Sequence, residues 1–192
     1  MRQRISDAAT ALFLQRGFDD VSVSEVAEAA DVARPTVFAH FPRKEDLLLD
    51  RFDDTLAELT DAVEQRPPGT SPVAAVAGWV LARARAQDPP IGIRAEYVRF
   101  WHVVAGSRAL QARARELADI AEDRLAGVMA DGRAPEPALA AALTVAAVRG
   151  IFLPEVRTLL DGGRLPDAQR YARRLAAALA AVEAAVERLD AR

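Results

Sequence analysis

Apolar side chains recur three and four residues apart along most of this chain, in segments separated by Gly, Pro and Asp. The first such segment carries Ile5, Ala9 and Phe13 and ends at Gly17. Because this spacing places the apolar side chains on one helical face, each segment predicts an amphipathic helix. Alanine, a strong helix former, occurs 42 times in 192 residues, whereas aromatic residues make up only 6%. The sequence therefore predicts an all-α protein of about nine helices.

Residues that carry catalytic or metal chemistry are scarce. Cysteine is absent, and histidine occurs only at His40 and His102, which excludes disulfides and thiolate zinc sites. The sequence also lacks the G-x-S-x-G, H-E-x-x-H, Glu-x-x-His, P-loop and G-x-G-x-x-G motifs of common catalytic and nucleotide sites. We therefore expect no catalytic residues, no metal ion and no other cofactor, and hence a protein that is not an enzyme.

Hydropathy bears on where the protein acts. The longest near-continuous apolar run, Ala138 to Val148, has eleven residues, fewer than the ~18 that indicate a membrane span. Near the N-terminus, Arg2, Arg4 and Asp7 are followed by no apolar stretch of the kind found in secretory signals. We therefore expect a cytoplasmic protein that does not enter a membrane.

The first 46 residues contain the signals of three short helices. The first runs from Arg2 to Arg16, and the second starts after Ser22, which stands three residues before Glu25 at capping-box spacing. After a break at Asp31, the third runs from Arg34 to His40. The second and third helices have the size and spacing of a helix-turn-helix. By pattern alone, two packed helices without a DNA-binding role remain an alternative.

The residue string narrows these alternatives. From Ser22 to Leu47 it reads SVSEVAEAADVARPTVFAHFPRKEDL, which closely resembles the DNA-binding signature of the TetR (tetracycline-repressor-like) family of transcriptional regulators. The resemblance implies a helix-turn-helix DNA-binding head over residues 1–46 and a helical ligand-binding and dimerisation body over residues 47–192. It also implies a ligand-responsive repressor that binds a palindromic operator as a homodimer.

The same resemblance assigns the DNA-contacting positions. Val26, Ala27 and Val37 would pack between the two helices, while the third helix turns its other face to double-stranded DNA. Arg34 can fork onto guanine or hold a phosphate, and Thr36 offers both a hydroxyl and a methyl group. A further helix is predicted from Arg43, which would place Lys44 at a phosphate-binding helix N-terminus. The predicted DNA-binding residues are Arg34, Pro35, Thr36, Phe38, Ala39, His40 and Lys44.

Several residues depart from the family pattern. Asp31 stands where the family usually has a glycine, Ala33 stands where it has a capping serine, and Phe38 replaces a common tyrosine. The first fifty residues also hold six Lys and Arg against nine Asp and Glu, although Val32 to Lys44 contain no acid. These features motivate the alternative of a helical ligand-binding or interaction protein that has lost operator binding.

For the body, the resemblance implies a small-molecule pocket and a last pair of helices that joins that of a second subunit. Trp79, Tyr97, Trp101 and His102 are the pocket candidates, because aromatic surfaces with polar tips can both pack against and orient a ligand. The effector itself is unknown, and core packing is the alternative for these residues. Heptad-like spacing selects the predicted dimer-interface residues, for which intrachain core is again the alternative: Leu139, Leu143, Leu175, Leu179, Val182 and Val186.

Overall fold

A computed structural model describes residues 1–190, and for Asp190 it describes the backbone alone. The all-α prediction is confirmed, since the described residues form helices and connecting turns without a strand. In chain order the α-helices are α1 (Arg2–Arg16), α2 (Val23–Ala29), α3 (Arg34–His40), α4 (Phe52–Glu64), α5 (Pro72–Ala86), α6 (Val98–Gly106), α7 (Arg108–Asp131), α8 (Pro137–Leu160) and α9 (Ala168–Asp190).

The chain divides into two compact units that are not the two sequence halves. The first unit comprises residues 1–53 and 97–116, and the second comprises residues 54–96 together with those from 117 onward. The first unit includes α6 because Val104 and Leu110 are buried in the same apolar cluster as Ile5 and Phe13. A functional boundary after residue 46 stays a prediction, since the packing unit that contains this segment is larger.

In the first unit, α1 buries Ile5, Ala9 and Phe13 against α2 and the segments that follow. Gly17 ends α1 with a φ of 92°, a value that favours glycine because it has no Cβ. The capping box that begins α2 is present: the Ser22 hydroxyl accepts from the Glu25 amide at 3.2 Å, and the Glu25 carboxylate accepts from the Ser22 amide at 2.8 Å. These local signals in the sequence were sufficient to predict both helix ends.

The segment between α3 and α4 corrects one prediction. Instead of a helix that starts at Arg43, the chain forms a 3-10 turn at Glu45–Leu47 and further turns, and α4 begins only at Phe52. Leu47 and Leu48 are both buried in the apolar core of the first unit, while the Ser6 hydroxyl donates to the Asp50 carboxylate at 2.6 Å and thereby holds Asp50 to α1. Anchoring the segment at successive residues favours the tighter turns over a regular α-helix.

In the second unit, α9 packs against both α5 and α8. Val76 and Val80 of α5 and Leu175 and Leu179 of α9 are buried in this unit. The Tyr171 hydroxyl donates a 2.9 Å hydrogen bond to the carbonyl oxygen of Ile91 and thereby ties α9 to the turn after α5. Burial raises the pKa of this phenol well above its usual range.

Helix α8 is long and apolar enough to cross a membrane, judged by length and composition, which the eleven-residue run in the sequence did not indicate. The core helix of a soluble protein and a signal sequence meet the same test. Only 22% of its most apolar window is buried within the chain. An apolar helix that its own chain covers so little is typical of a surface that contacts another molecule.

Candidate nucleic-acid interface

The outer face of α3 is the principal candidate surface. Val37 is buried at 1% exposure, whereas Arg34, Pro35, Phe38, Ala39 and His40 are exposed and Thr36 is half-buried. The Arg34 guanidinium carbon lies 5.5 Å from the centre of the Phe38 ring, one helical turn away. This cation–π contact orients the guanidinium along the exposed face. The predicted DNA-binding residues of α3 therefore share one accessible surface.

The turn before α3 accommodates the departures from the family pattern. Asp31 has a φ of 51°, a left-handed conformation that a short polar side chain tolerates better than most. The amide of Val32 donates to the carbonyl oxygen of Ala27 at 2.9 Å and closes the end of α2. Ala33 is the N-cap of α3 and supplies no side-chain hydrogen bond. The turn geometry is thus maintained without glycine, while α3 begins without a cap.

Lys44 does not occupy the position that the sequence analysis predicted. It precedes a 3-10 turn instead of an α-helix, and its side chain is half-buried. The Nζ atom donates to the Phe18 carbonyl oxygen at 2.6 Å and lies 4.2 Å from the centre of the Phe18 ring. Burial lowers the pKa of this ammonium group. The structure therefore directs Lys44 into the head, where it holds the connection between α1 and α2.

The N-terminus of α1 supports the end of α3. The Arg2 guanidinium lies 4.7 Å from the centre of the buried Phe41 ring and donates to the backbone oxygen of Asp50 at 3.0 Å. Phe41 is the C-cap of α3. Arg2 is half-buried by these contacts, whereas Arg4 stays exposed. One side chain thus ties α1 both to the end of α3 and to the segment that leads into α4.

Helix α7 supplies further polar contacts within this unit. The buried Ser107 hydroxyl, just before α7, donates to Asp19 Oδ1 at 2.9 Å. Arg113 Nε donates to Asp46 Oδ1 at 2.8 Å, and Arg113 Nη1 lies 3.0 Å from Glu116 Oε2. Burial lowers the pKa of Arg113, but the hydrogen bonds to Asp46 and Glu116 outweigh burial and raise it overall. Sequence reasoning missed these residues, although Ser107 directly precedes a helix, where serine is a common cap.

The four pocket candidates do not form one site within either unit. Trp79 belongs to the second unit, and Tyr97, Trp101 and His102 belong to the first. Tyr97 and Trp101 are half-buried, Trp101 stands edge-on to Phe100 with ring centres 5.0 Å apart, and His102 is exposed. Trp79 lines an open groove of about 470 Å³ between α4 and α5, where the Arg83 guanidinium lies 4.3 Å from its ring centre. Glu58, Asp61, Ala62, Gln65, Arg66, Pro67 and Arg83 complete the lining.

The predicted interface residues separate into two groups. Leu175, Leu179, Val182 and Val186 of α9 are between 0 and 8% exposed, so the structure places them in the intrachain core that was the alternative for them. Helices α5 and α8 of the same chain pack against α9 and cover these side chains. Leu139 of α8 is 43% exposed and Leu143 is half-buried. These two remain available to a partner.

Comparison with known proteins agrees with this geometry. Residues 5–50 match the family model described as "Bacterial regulatory proteins, tetR family". The HTH-type transcriptional regulator TcmR of Streptomyces glaucescens is 28% identical over 142 residues, which cover 64% of this chain and 63% of that protein. The HTH-type transcriptional repressor KstR of Rhodococcus jostii is 36% identical over 90 residues, 46% of this chain and 42% of that protein. The alignments thus span less than two thirds of both relatives.

The similarity in fold extends over nearly the whole chain. The solved structure of NalD, the secondary repressor of the MexAB-OprM multidrug efflux pump in Pseudomonas aeruginosa, superposes with a TM-score of 0.59. The match covers 93% of this chain and 94% of that one at 20% identity. At this identity the match establishes the shared fold alone, while the family model matches residues 5–50.

Proposed function

We propose that the chain, whose residues 5–50 match the family model of the tetR family of bacterial regulatory proteins, is a sequence-specific transcriptional regulator of that family. In this proposal it binds a palindromic operator as a homodimer and represses transcription until a small molecule binds its helical body. It acts in the cytoplasm, and it catalyses no reaction.

One observation carries the DNA-binding part of the proposal. Helix α3 buries Val37 in the first unit and leaves the side chains around the rest of the helix exposed: Arg34, Pro35, Phe38, Ala39 and His40. A short helix presented in this way can enter the major groove, where arginine reads guanine and small apolar groups contact thymine methyls. The same face carries no carboxylate, although the first fifty residues are acidic overall. Local charge, not net charge, supports contact with phosphates.

The dimer part rests on the exposed apolar stripe of α8. This stripe, Leu139, Leu143, Ala146, Gly150 and Leu153, repeats at steps of four and three residues and is exposed or half-buried along its length. Such a repeat of small and apolar residues allows two helices to pack closely. A two-fold dimer would present two α3 helices to half-sites about 34 Å apart, which doubles the DNA contacts.

The effector part rests on the body that follows the head. We infer a small-molecule site in the second unit, with Trp79 in the groove between α4 and α5 as the residue best placed to contact a ligand. Helix α4 begins directly after the segment that follows α3 and leads into this unit, so its displacement would move the head. A coupling of about 1 to 3 kcal/mol would change operator affinity about 5- to 150-fold.

The direct test selects bound duplexes from a random DNA library with the purified full chain. The enriched sequence is then titrated at two salt concentrations, because phosphate contacts make affinity fall as salt rises. Enrichment of a palindrome bound by two chains supports the proposal. Retention that is weak and independent of sequence, by a folded and dimeric protein, contradicts it and favours a binding protein without an operator.

A further inference from the structure

Two side chains of α7, Arg113 and Glu116, contact residues 43–50, which lie between α3 and α4. Arg113 and Asp46 form an ion pair at 2.8 Å in which both side chains are about four-fifths buried, with exposures of 17% and 20%. In the same unit, Arg16 with Glu25 and Arg43 with Glu116 leave their side chains about half exposed. A partly buried and hydrogen-bonded pair restricts its backbone more than a solvated pair does.

Glu116 of α7 makes a second contact with the same segment. Glu116 Oε2 accepts from Arg113 at 3.0 Å and from Arg43 at 2.5 Å. Arg43 lies three residues after the end of α3, and Asp46 lies within the 3-10 turn that follows. One turn of α7, from Arg113 to Glu116, therefore contacts this segment at two points, Arg43 and Asp46.

The start of α7 is itself fixed to the head. Leu110 is fully buried in the apolar core of the first unit, and the Ser107 hydroxyl donates to Asp19 in the connection between α1 and α2. From this anchored start, α7 continues without interruption to Asp131, and its residues from Leu117 onward belong to the second unit. Arg113 lies between this anchored start and the end of the first unit at Glu116, so its backbone position is set within that unit.

We propose that Arg113 is a positioning residue for DNA binding: it holds Asp46, and through Asp46 the end of α3, so that α7 as well as α4 sets operator affinity. This inference rests on the proposed function. It adds a specific positioning role, in which loss of the ion pair between Arg113 and Asp46 loosens the 3-10 turn and with it the end of α3. Arg113 itself faces the head's own carboxylates and contacts no base or phosphate.

The test compares R113M, R113K and R115M in the full chain. Met removes the ion pair but keeps an unbranched side chain, Lys keeps the charge, and Arg115 is an exposed arginine on the same helix. With the duplex selected by the wild-type protein, we expect R113M to bind about tenfold more weakly, a typical loss along a coupling network. R113K should recover most of the affinity, and R115M should lose no more than about threefold through lost charge.

Amide hydrogen exchange supplies a readout that does not depend on DNA. The amides of Asp46, Leu47 and Leu48 donate to the backbone oxygens of Arg43, Lys44 and Glu45, respectively. In R113M we expect these amides to exchange faster, with α1 amides unchanged and the melting temperature within a few degrees of wild type. A general loss of stability would instead accelerate exchange throughout the head.

The outcomes separate this inference from the proposed function. If the wild-type protein selects no duplex, the proposed function fails, and hydrogen exchange still decides whether Arg113 holds the turn. If the wild type selects a palindrome but R113M binds it equally well, the positioning role is overturned. It is also overturned if R113M and R113K are impaired alike and melt at the same lowered temperature, because that indicates stability alone.

Discussion

The Nζ atom of Lys44 lies 2.6 Å from the carbonyl oxygen of Phe18 and 4.2 Å from the centre of the Phe18 ring. The ammonium group thus closes the connection between α1 and α2 across 26 residues of sequence. It also lies 5.7 Å from the Phe13 ring centre. Lys44, which the sequence predicts to bind a DNA phosphate, therefore joins the segment after α3 to the connection between α1 and α2.

Replacing Lys44 with Met should therefore destabilise the head. The loss of a charge-assisted hydrogen bond and a cation–π contact at a half-buried site corresponds to about 1 to 2 kcal/mol. Chemical denaturation of K44M beside wild type measures the effect. A variant that keeps wild-type stability but loses DNA affinity would instead identify Lys44 as a phosphate contact, contrary to its position in the structure.

Arg34 is the residue from which we expect base recognition. R34A should weaken binding to the selected duplex by about 1 to 3 kcal/mol, or 5- to 150-fold, and relax the preference at one base pair. Because Arg34 is exposed, the melting temperature of R34A should match that of the wild-type protein. Titration against duplexes varied at each position is the measurement, with R108A, an exposed arginine at the start of α7, as the matched control. Equal losses of DNA affinity in R34A and R108A would contradict base recognition by Arg34 and indicate that it contributes only its positive charge.

The capping box of α2 predicts a dependence of stability on pH. Hydrogen bonds from the Ser22 backbone and the Arg16 side chain lower the pKa of Glu25 from 4.5 to about 2. Because the folded pKa is the lower one, this group stabilises the fold fully above pH 4.5 and loses its contribution as pH falls towards 2. E25Q should therefore be less stable than wild type at pH 7, and the difference should shrink between pH 4.5 and 2.

Urea denaturation of E25Q and wild type at pH 7, 4 and 3 measures this difference. E28Q, on the exposed side of the same helix, removes a carboxylate outside the capping box and is the matched control. A gap between E25Q and wild type that stays constant over this pH range would contradict the lowered pKa of Glu25, because the carboxylate must lose its advantage as it is protonated.

The stripe on α8 predicts the oligomeric state. Ala146 is exposed in its middle, so A146R should place a charge and a long side chain between two packed helices and yield monomers. Light scattering after size-exclusion chromatography gives the mass, and A82R, on the exposed face of α5, is the control. Operator affinity should fall with the dimer. An A146R protein that remains dimeric would place the interface elsewhere.

The sequence by itself determined the local structure and the family. Apolar spacing, the capping box at Ser22 and the stop at Gly17 predicted α1, α2 and α3 correctly, because these signals act between residues close in sequence. The string from Ser22 to Leu47 was sufficient to indicate the family and the exposed face of α3. What the pattern showed for α9 was an apolar face, without the identity of the helix that covers it.

Only the tertiary structure decided those partners. Leu175 and Leu179 are buried within their own chain, where α5 and α8 pack against α9. A heptad-like repeat does not reveal this, because it is the same for a helix of the same chain and for one of a second subunit. Lys44 turns inward because Phe18 offers a carbonyl oxygen and a ring at that point. Arg113 meets Asp46 across 67 residues, and no periodicity connects positions so far apart, because such pairs form only when separate helices pack together.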